Sequence, residues 1–195
     1  MIAIIQYNAG NVQSVQNALK RLGYEAVVSS DPAVLQSAEK IIFPGVGNAG
    51  AAMKDLQETG LDQLIPTLKQ PLLGICVGMQ LLCKHSEESD TPCLGIVDAP
   101  VKKFQATASF KVPQVGWNTL YNCRSGLLKA VPENAFVYYV HSYYAALCEA
   151  TVAITDYTLS YSAAVQKDNF YGVQFHTEKS AATGDRILKN FIELL

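Results

Sequence analysis

The chain has 195 residues, and its 15 lysines and arginines against 17 aspartates and glutamates give a formal charge of −2. Apolar residues make up 49% of it and charged residues 16%, which supplies a large core and excludes a disordered chain. The weakly negative balance argues against a nucleic-acid partner, because such partners usually require a basic face. No run approaches the roughly 18 apolar residues of a membrane span. The opening MIAIIQYNAG lacks the basic start of a secretory signal.

The cysteines favour a reducing compartment. Five are present, an odd number at irregular spacing and without a CxxC pair, so neither a disulfide framework nor a zinc site is predicted. We therefore expect a cytoplasmic protein that uses no metal and no cofactor. Four of the five are expected to be small buried hydrophobic residues, which is the usual state of free cysteine: Cys83, Cys93, Cys123 and Cys148.

In chain order, strands and helices alternate through the first half. Strands are predicted over residues 1–7, 24–28, 41–43 and 71–75, with a break at 8–11, and helices over 12–22, 49–58 and 61–68. A short helix is predicted to start with Asp31 as its N-cap and Pro32 at its first position. This alternation predicts a parallel sheet with helices on both faces.

The second half changes to short β-like runs. They cover residues 95–97, 112–115, 136–140, 151–155 and 159–165, and they predict antiparallel strands that extend the parallel core. A last strand is predicted over 170–175 and a closing amphipathic helix over 184–195. Because no repeat or linker is visible, we expect a single α/β domain over residues 1–195.

Cys76 lies in a pattern typical of a nucleophile elbow. The segment Gly74-Ile75-Cys76-Val77-Gly78 follows a predicted strand and precedes the helix-like run MQLL. Glycines two residues on either side allow a tight strand-to-helix turn, which holds the reactive residue at the carboxyl edge of the sheet. The helix N-terminus favours a thiolate, and the Val77 N–H is placed to donate to a developing oxyanion. The pattern predicts Cys76 as a nucleophile.

His176 is the predicted base. In GVQFHTE it follows an apolar strand, and Glu178 lies two residues further on. In an extended segment both side chains point to one side, with Cα atoms about 6.6 Å apart. A carboxylate–imidazole hydrogen bond would fix the tautomer and leave the other ring nitrogen facing a thiol. His141 could compete but has no carboxylate near it in sequence, so its segment is expected to line the pocket. His85 is expected to be solvated.

These segments resemble the class I, or triad, glutamine amidotransferases. The residues that carry the resemblance are GICVGMQ around Cys76, GVQFHTEKS around His176 and the PGVG turn at residues 44–47. The resemblance runs from Ile4 to Leu195 and implies a flavodoxin-like three-layer sandwich. The family usually has proline after the catalytic histidine, where this chain has Thr177. We expect the exchange to be tolerated, because proline would only stiffen the segment.

The resemblance implies hydrolysis of glutamine to glutamate and ammonia through a thioester on Cys76, with His176 as the base and Glu178 as its orienting group. The oxyanion would be held by N–H groups of Val77 and of the turn formed by Gly45 and Val46, which would first reorient. Five positions match residues that contact the substrate: Gly47, Gln80, Glu88, Ser142 and Tyr143. Glu88 would equally suit a solvated charge.

Released ammonia needs an acceptor, and no phosphate-binding loop for a second reaction is present, so another chain is expected to supply it. The segments YNAGNVQSV, PQVGWN and YYVHSYYA resemble one branch of the family, whose partner is a (β/α)8 cyclase subunit in a heterodimer. Four residues are candidates for that interface or for gating: Asn11, Trp117, Tyr138 and Lys179. Trp117 would equally suit the core.

Three alternatives stay open at this point. The chain could be a glutaminase subunit for another acceptor, such as one for anthranilate, aminodeoxychorismate or pyridoxal phosphate. It could be a thiol hydrolase of the same architecture that acts on a small ester or peptide. It could also be a non-catalytic binding subunit, which the presence of all three catalytic residue types argues against.

Overall fold

A computed structural model describes residues 1–8 and 11–195. Part of the predicted break at residues 8–11, namely residues 9 and 10, lies outside the described residues. The strands, numbered β1 to β13 in chain order, are Ile2–Ile5, Ala26–Ser29, Lys40–Gly45, Leu72–Cys76, Cys83–Ser86, Thr91–Pro92, Val97–Lys103, Gln114–Thr119, Phe136–His141, Tyr143–Ala145, Thr151–Asp156, Ser160–Lys167 and Phe170–Val173. The helices α1 to α6 are Val12–Arg21, Pro32–Ser37, Ala49–Thr59, Leu61–Leu64, Val77–Leu82 and Ala181–Leu194.

The main sheet has seven strands in the order β11-β12-β13-β4-β3-β1-β2. Strands β2, β1, β3, β4 and β13 are parallel, and β12 and β11 continue the sheet antiparallel. Strands β1 and β4 are buried along their whole length, which explains why they are continuous apolar runs rather than alternating ones. This confirms the predicted parallel core with an antiparallel extension.

The remaining strands do not all extend that core, contrary to the prediction. Four of them form a second sheet in the order β10-β7-β5-β6, and β8 pairs with β9 in a two-stranded ribbon. In the ribbon, Gln114 lies opposite His141 and Thr119 opposite Phe136. Strands β5, β6 and β10 were not predicted, because each has only two to four residues and no apolar run of its own.

Several boundaries also differ from the predicted ones. The predicted helix over 61–68 is the short α4 followed by a 3₁₀ turn, and the predicted strand over 170–175 ends at Val173. The start of α2 follows the prediction, since the Asp31 side chain accepts a hydrogen bond from the Ala33 N–H and Pro32 stands at the first position. None of the described helices is long and apolar enough to cross a lipid bilayer.

The sheet brings two chemically important segments to one edge. Strand β3 ends in the PGVG turn and β4 ends at Cys76, and Gly45 lies opposite Cys76 in the register between them. Because both strands are parallel, their carboxyl ends meet at the edge where ligands bind in folds of this kind. The predicted nucleophile and the predicted oxyanion turn are therefore neighbours in space.

Candidate active site

The backbone at Cys76 has the strained conformation that a nucleophile elbow requires. Its φ and ψ are 55° and −112°, and helix α5 starts at the next residue. A positive φ is uncommon for a residue with a side chain and points to a functional constraint. A Cβ on Gly78 would lie 1.9 Å from the Phe43 carbonyl oxygen, and one on Gly74 would lie 2.8 Å from the Gly78 carbonyl oxygen. The turn therefore closes only with glycine at both positions.

The sulfur of Cys76 is almost enclosed, since the residue is 3% exposed. Its Sγ lies 3.9 Å from the Val140 carbonyl oxygen and 3.8 Å from Nε2 of Gln174. His176 lines the same cavity as Cys76, and the interaction between the two groups raises the pKa of the imidazole. The nucleophile candidate thus has a carbonyl acceptor, an amide donor and an imidazole around it.

His176 and Glu178 form the predicted pair, with Nδ1 of the histidine 2.8 Å from Oε1 of the glutamate. Their side chains are only 5% and 2% exposed. The segment that joins them is not extended, as the spacing argument assumed. Residues Thr177–Lys179 form a turn of 3₁₀ helix. The turn, and not strand alternation, brings the carboxylate to the imidazole.

Burial lowers the pKa of His176, but hydrogen bonds to Cys76 and Glu178 and the charges of both groups outweigh it and raise the pKa to about 10. A raised imidazole pKa next to a thiol favours the charged form of the ring, so the arrangement suits a thiolate–imidazolium pair. The other glutamate oxygen, Oε2, is buried and has no hydrogen-bond partner among the described residues.

Tyr7 holds the turn that follows β3. Its hydroxyl donates to the Pro44 carbonyl oxygen at 2.8 Å, and a Cβ on Gly45 would lie 2.7 Å from that hydroxyl. Burial, with smaller contributions from Cys76 and Asp55, raises the pKa of Tyr7, so it stays a neutral donor. Gly47 has a φ of +88°, a conformation that glycine adopts without strain. The predicted oxyanion turn is thus held by Tyr7, a residue that its sequence neighbours did not single out.

A cavity of about 320 Å³ opens next to Cys76, within the size range of small-molecule sites. Its walls include two of the three candidate catalytic residues, Cys76 and His176, and all five predicted substrate-binding residues: Gly47, Gln80, Glu88, Ser142 and Tyr143. They also include Val46 and Val77 of the predicted oxyanion site and Lys179, a candidate interface residue. Pro113, Val140 and His141 complete it. The structure therefore brings together residues that lie more than 130 positions apart in the sequence.

Two of the predicted binding residues have defined partners. Gln80 donates through Nε2 to the Tyr143 carbonyl oxygen at 2.8 Å. Glu88 is partly buried, and its Oε2 accepts a hydrogen bond from the Ala49 N–H at the start of α3 at 2.7 Å. This argues against the alternative that Glu88 is a freely solvated charge.

The other two histidines are not candidates for the base. His141 is buried, which lowers its pKa to about 4, and its Nδ1 hydrogen-bonds the Tyr143 carbonyl oxygen at 2.7 Å. It lines the cavity as a neutral ring, as predicted. His85 is accessible to solvent, as expected: it lies on β5, its side chain is 40% exposed, and it pairs with the exposed Asp90 at 2.9 Å.

Burial raises the pKa of three other cysteines: Cys83 above its ordinary range, and Cys93 and Cys123 to about 11. Cys148 is partly buried. Thiols that ionise this reluctantly are poor nucleophiles. They fit the prediction of structural residues, although only Cys83 is fully buried.

The candidate interface residues occupy different places. Trp117 is 52% exposed, which excludes the core alternative, and its ring packs edge-on against Tyr138 at 5.7 Å between centroids. Lys179 lies at the cavity. Asn11 precedes α1, where its side chain makes no capping hydrogen bond.

The sequence analysis also missed Gln174, whose side chain is fully buried beside Cys76. A signal was present. Gln174 precedes His176 by two residues at the end of an otherwise apolar strand, and a polar side chain in such a strand needs a buried partner. Its other partner, Gln80, lies 94 residues away, beyond what spacing can show.

The comparisons with known proteins agree with this geometry. Residues 3–194 match the family model described as Glutamine amidotransferase class-I. A solved glutamine amidotransferase shares the fold with a TM-score of 0.74 at 20% identity, covering 99% of this chain and 97% of its own. PurLQS from Thermotoga maritima gives a TM-score of 0.72 at 17% identity, covering 98% and 96%. The chain belongs to the class-I glutamine amidotransferase family.

More similar relatives are found within that family. The chain is 54% identical to imidazole glycerol phosphate synthase subunit HisH of Bacteroides thetaiotaomicron, over 99% of both chains. It is 45% identical to the subunit of the same name from Yersinia pestis, again over 99% of both. At these identities the similarity extends well beyond the fold.

Proposed function

We propose that this chain is the glutaminase subunit of an imidazole glycerol phosphate synthase in histidine biosynthesis, and that it works in the cytoplasm. It would release ammonia from glutamine and pass it to a separate cyclase subunit, which makes imidazole glycerol phosphate and aminoimidazole carboxamide ribotide. The observation that carries the proposal is the pair Cys76 and His176 at one cavity, with the buried Glu178 hydrogen-bonded to His176, in a chain similar to HisH subunits along its length. The free state of all five cysteines supports a reducing compartment.

In the proposed reaction, the Cys76 thiolate attacks the side-chain amide carbon of glutamine. His176, oriented by Glu178, donates a proton to the departing ammonia, which leaves a glutamyl thioester. Water then attacks the thioester with His176 as the base, and glutamate is released. The oxyanion would be stabilised by the N–H groups of Val77 and of the turn at residues 45–46. A single donor of this kind is worth about 2.7–4 kcal/mol of barrier in a protease.

The α-ammonium group of the substrate has a matching carboxylate in the cavity. Glu88 offers the oxygen that its contact with Ala49 leaves free to the α-ammonium group of glutamine. Gln80, Ser142, Tyr143 and Gly47 line the same cavity. The protein thus offers a carboxylate for the substrate's ammonium group and polar groups for its side-chain amide. This set fits glutamine better than an uncharged ester.

A surface for the cyclase lies beside the cavity. We call it the ribbon face; it is the outward side of β8 and β9, formed by Val115, Trp117, Thr119, Phe136, Tyr138 and Val140. Val115 and Phe136 are each 59% exposed. Exposed apolar patches of this kind mark interaction sites. Val140 belongs both to the ribbon face and to the cavity wall, so a partner docked here would cover the exit for ammonia.

Backbone contacts connect the ribbon face with both reactive residues. The Tyr138 carbonyl oxygen accepts a hydrogen bond from the His176 N–H at 2.9 Å, and the Val140 carbonyl oxygen lies 3.9 Å from Cys76 Sγ. A partner that binds to and displaces β9 would therefore move the Tyr138 and Val140 carbonyl groups, which contact the base and the nucleophile. This supports a glutaminase whose rate depends on the partner.

The test is glutamate release from glutamine by the purified chain, first alone and then with a cyclase subunit of imidazole glycerol phosphate synthase and a ligand of that subunit. We expect a low rate alone and a rise of orders of magnitude in the complex. Cys76→Ala should abolish glutamine-driven synthesis and leave ammonia-driven synthesis by the cyclase intact. A high rate alone that the cyclase does not change would point to another acceptor. Hydrolysis of small esters without glutaminase activity would point to a thiol hydrolase.

Trp117→Ala tests the docking surface. Removal of an exposed tryptophan at the centre of an interface typically costs 2 kcal/mol or more, which is roughly a 30-fold loss of affinity for the cyclase. Leu194→Ala is the matched control, since Leu194 is also a large exposed apolar residue but lies in the last turn of α6, about 20 Å along the helix from its start. Equal cyclase affinity in both variants would remove the ribbon face from the proposal.

A further inference from the structure

A buried chain of two amides links a backbone carbonyl of the cavity to the sulfur of Cys76. Gln80 Nε2 donates to the Tyr143 carbonyl oxygen at 2.8 Å and to Gln174 Oε1 at 3.0 Å. Gln174 Nε2 then donates to Cys76 Sγ at 3.8 Å, within the longer range of hydrogen bonds to sulfur. The exposed fractions of Gln80 and Gln174 are 2% and 0%. The two amides therefore hydrogen-bond each other and their protein neighbours without water.

The donor and acceptor atoms of both amides are fixed by the contact with the Tyr143 carbonyl. A backbone carbonyl only accepts, so the Gln80 atom that faces Tyr143 must be the nitrogen. That nitrogen also faces Gln174, so the Gln174 atom opposite it must be the oxygen, which leaves Nε2 of Gln174 toward the sulfur. The His141 Nδ1–H uses the second lone pair of the same carbonyl. The sulfur is therefore offered a donor, never an acceptor, by this side chain.

We propose that Gln174 is a positioning residue for the glutaminase reaction, which holds the Cys76 sulfur toward the cavity and favours its thiolate form. The inference rests on the proposed function for its consequence in turnover. A hydrogen bond that is donated to the charged form of a group stabilises that form. The thiolate is the nucleophile, so its population and its aim both enter the rate of attack.

The groups around the sulfur show why this donor matters. The Val140 carbonyl oxygen, at 3.9 Å, accepts from a thiol and repels a thiolate. His176 favours the thiolate, with Glu178 behind it, while Tyr7 and His141 are both held neutral nearby by burial. Gln174 is the amide that offsets the Val140 carbonyl. Without it the sulfur would keep a neighbour that favours the protonated form.

The experiment measures the rate at which iodoacetamide alkylates Cys76 as a function of pH, with peptide mass spectrometry to separate Cys76 from the other cysteines. Gln174→Met removes both hydrogen bonds at similar volume. Gln174→Glu keeps an oxygen for Gln80, and its ionised carboxylate has no donor for the sulfur and adds a charge that disfavours the thiolate. We expect the midpoint of the alkylation profile to rise by about one pH unit or more in each, so that alkylation below it slows roughly tenfold.

Steady-state kinetics with the cyclase provide the second readout. We expect kcat to fall about tenfold in Gln174→Glu while KM for glutamine stays within about twofold, because Gln80 keeps its partner. Gln114→Met is the matched control. Gln114 is also buried and hydrogen-bonded, to the Tyr161 hydroxyl at 3.0 Å, and makes no contact with the sulfur. Its alkylation profile should equal that of the unmodified chain.

A wild-type alkylation midpoint in a folded Gln174 variant would overturn the inference. If Gln174→Met does not fold by circular dichroism, the isosteric Gln174→Glu decides. Alkylation requires neither glutamine nor cyclase, so it separates the two questions. An unmodified chain that releases no glutamate with its cyclase would contradict the proposed function and leave the alkylation result to decide the role of Gln174.

Discussion

A Cβ on Gly184 would lie 1.9 Å from the carbonyl oxygen of Thr177 and 3.0 Å from Cβ of Ser180. The first turn of α6 therefore packs directly against the 3₁₀ turn that carries Glu178. The close approach depends on a residue without a side chain. It fixes the turn against helix α6.

Gly184→Ala is expected to destabilise the chain by about 1–3 kcal/mol, because extra atoms in a packed core force backbone shifts. Helix propensity alone would predict the opposite sign, by up to about 1 kcal/mol in favour of alanine. Urea unfolding measures the difference. We also expect lower kcat, since the displaced turn carries Glu178. Ala182→Ser changes an exposed residue in the same helical turn and should alter neither the free energy of unfolding nor kcat. A Gly184→Ala variant more stable than the unmodified chain would contradict the prediction, because it would show that the helix can shift without cost.

Thr177→Pro is expected to stabilise the chain. Thr177 is the first residue of its 3₁₀ turn, where proline is favoured, and His176 before it is extended with φ −85° and ψ 104°. The Thr177 hydroxyl is buried and has no hydrogen-bond partner among the described residues. Its removal relieves a cost of about 1–3 kcal/mol, and the rigid ring adds about 0.4–1 kcal/mol.

Thr177→Val separates these two contributions, because it removes the hydroxyl and leaves the backbone free. We expect both variants to unfold at higher urea than the unmodified chain, with proline above valine, and kcat to stay within about twofold. A proline variant less stable than the unmodified chain would mean that the backbone at this position does not match the φ of proline.

Glu178→Gln is expected to lower kcat by about 10²- to 10⁴-fold, the range seen when a general base loses its proper state or orienting partner. Glutamine fills the same volume but brings no charge. The pKa of His176, raised to about 10 partly by Glu178, should therefore fall. A histidine NMR titration measures this shift. Glu58→Gln, an exposed carboxylate paired with Lys54, is the control and should change neither kcat nor the titration.

Stability should fall as the pH drops below neutrality, with His141 as one cause. Its folded pKa is about 4, below the ordinary 6.5, because the neutral ring is buried. The unfolded chain therefore binds a proton between these values and the folded chain does not, so stability present above pH 6.5 is lost toward pH 4. Between pH 7 and pH 5 this amounts to about 2 kcal/mol.

His141→Gln removes that titration and keeps an amide that can donate to the Tyr143 carbonyl. Urea unfolding of both proteins at the two pH values gives the measurement, and groups common to both cancel in the comparison. We expect the variant to lose about 2 kcal/mol less on acidification. An equal loss in both proteins would mean that His141 is protonated in the folded state.

The parts of the site that depend on neighbours in sequence were open to prediction, and the parts that depend on distant packing were not. Cys76 between its glycines and Glu178 two residues from His176 are local signals. The structure places Cys76 and His176 at one cavity and Glu178 in hydrogen-bond contact with His176. The turn between His176 and Glu178 was predicted as extended, because pattern alone does not distinguish a strand from the single turn that follows it.

Tyr7, whose carbonyl partner is 37 residues away, shows the limit more clearly. At the end of an apolar strand it looked like core, and only the fold shows its hydroxyl on the PGVG turn. The sheets show the same limit. Antiparallel runs were recognised by composition, but whether a run joins the main sheet, as β12 does, or stands apart, as β8 and β9 do, depends on long-range pairing.

The ribbon face has a consequence for the cell that makes this chain. Aromatic and aliphatic side chains that stay uncovered on a two-stranded ribbon are available to any other surface of the same kind, including another copy. A surplus of this subunit over the proposed cyclase partner would thus carry a risk of self-association. If the cell makes the two chains in equal amounts and at the same time, each ribbon face is exposed to solvent only briefly.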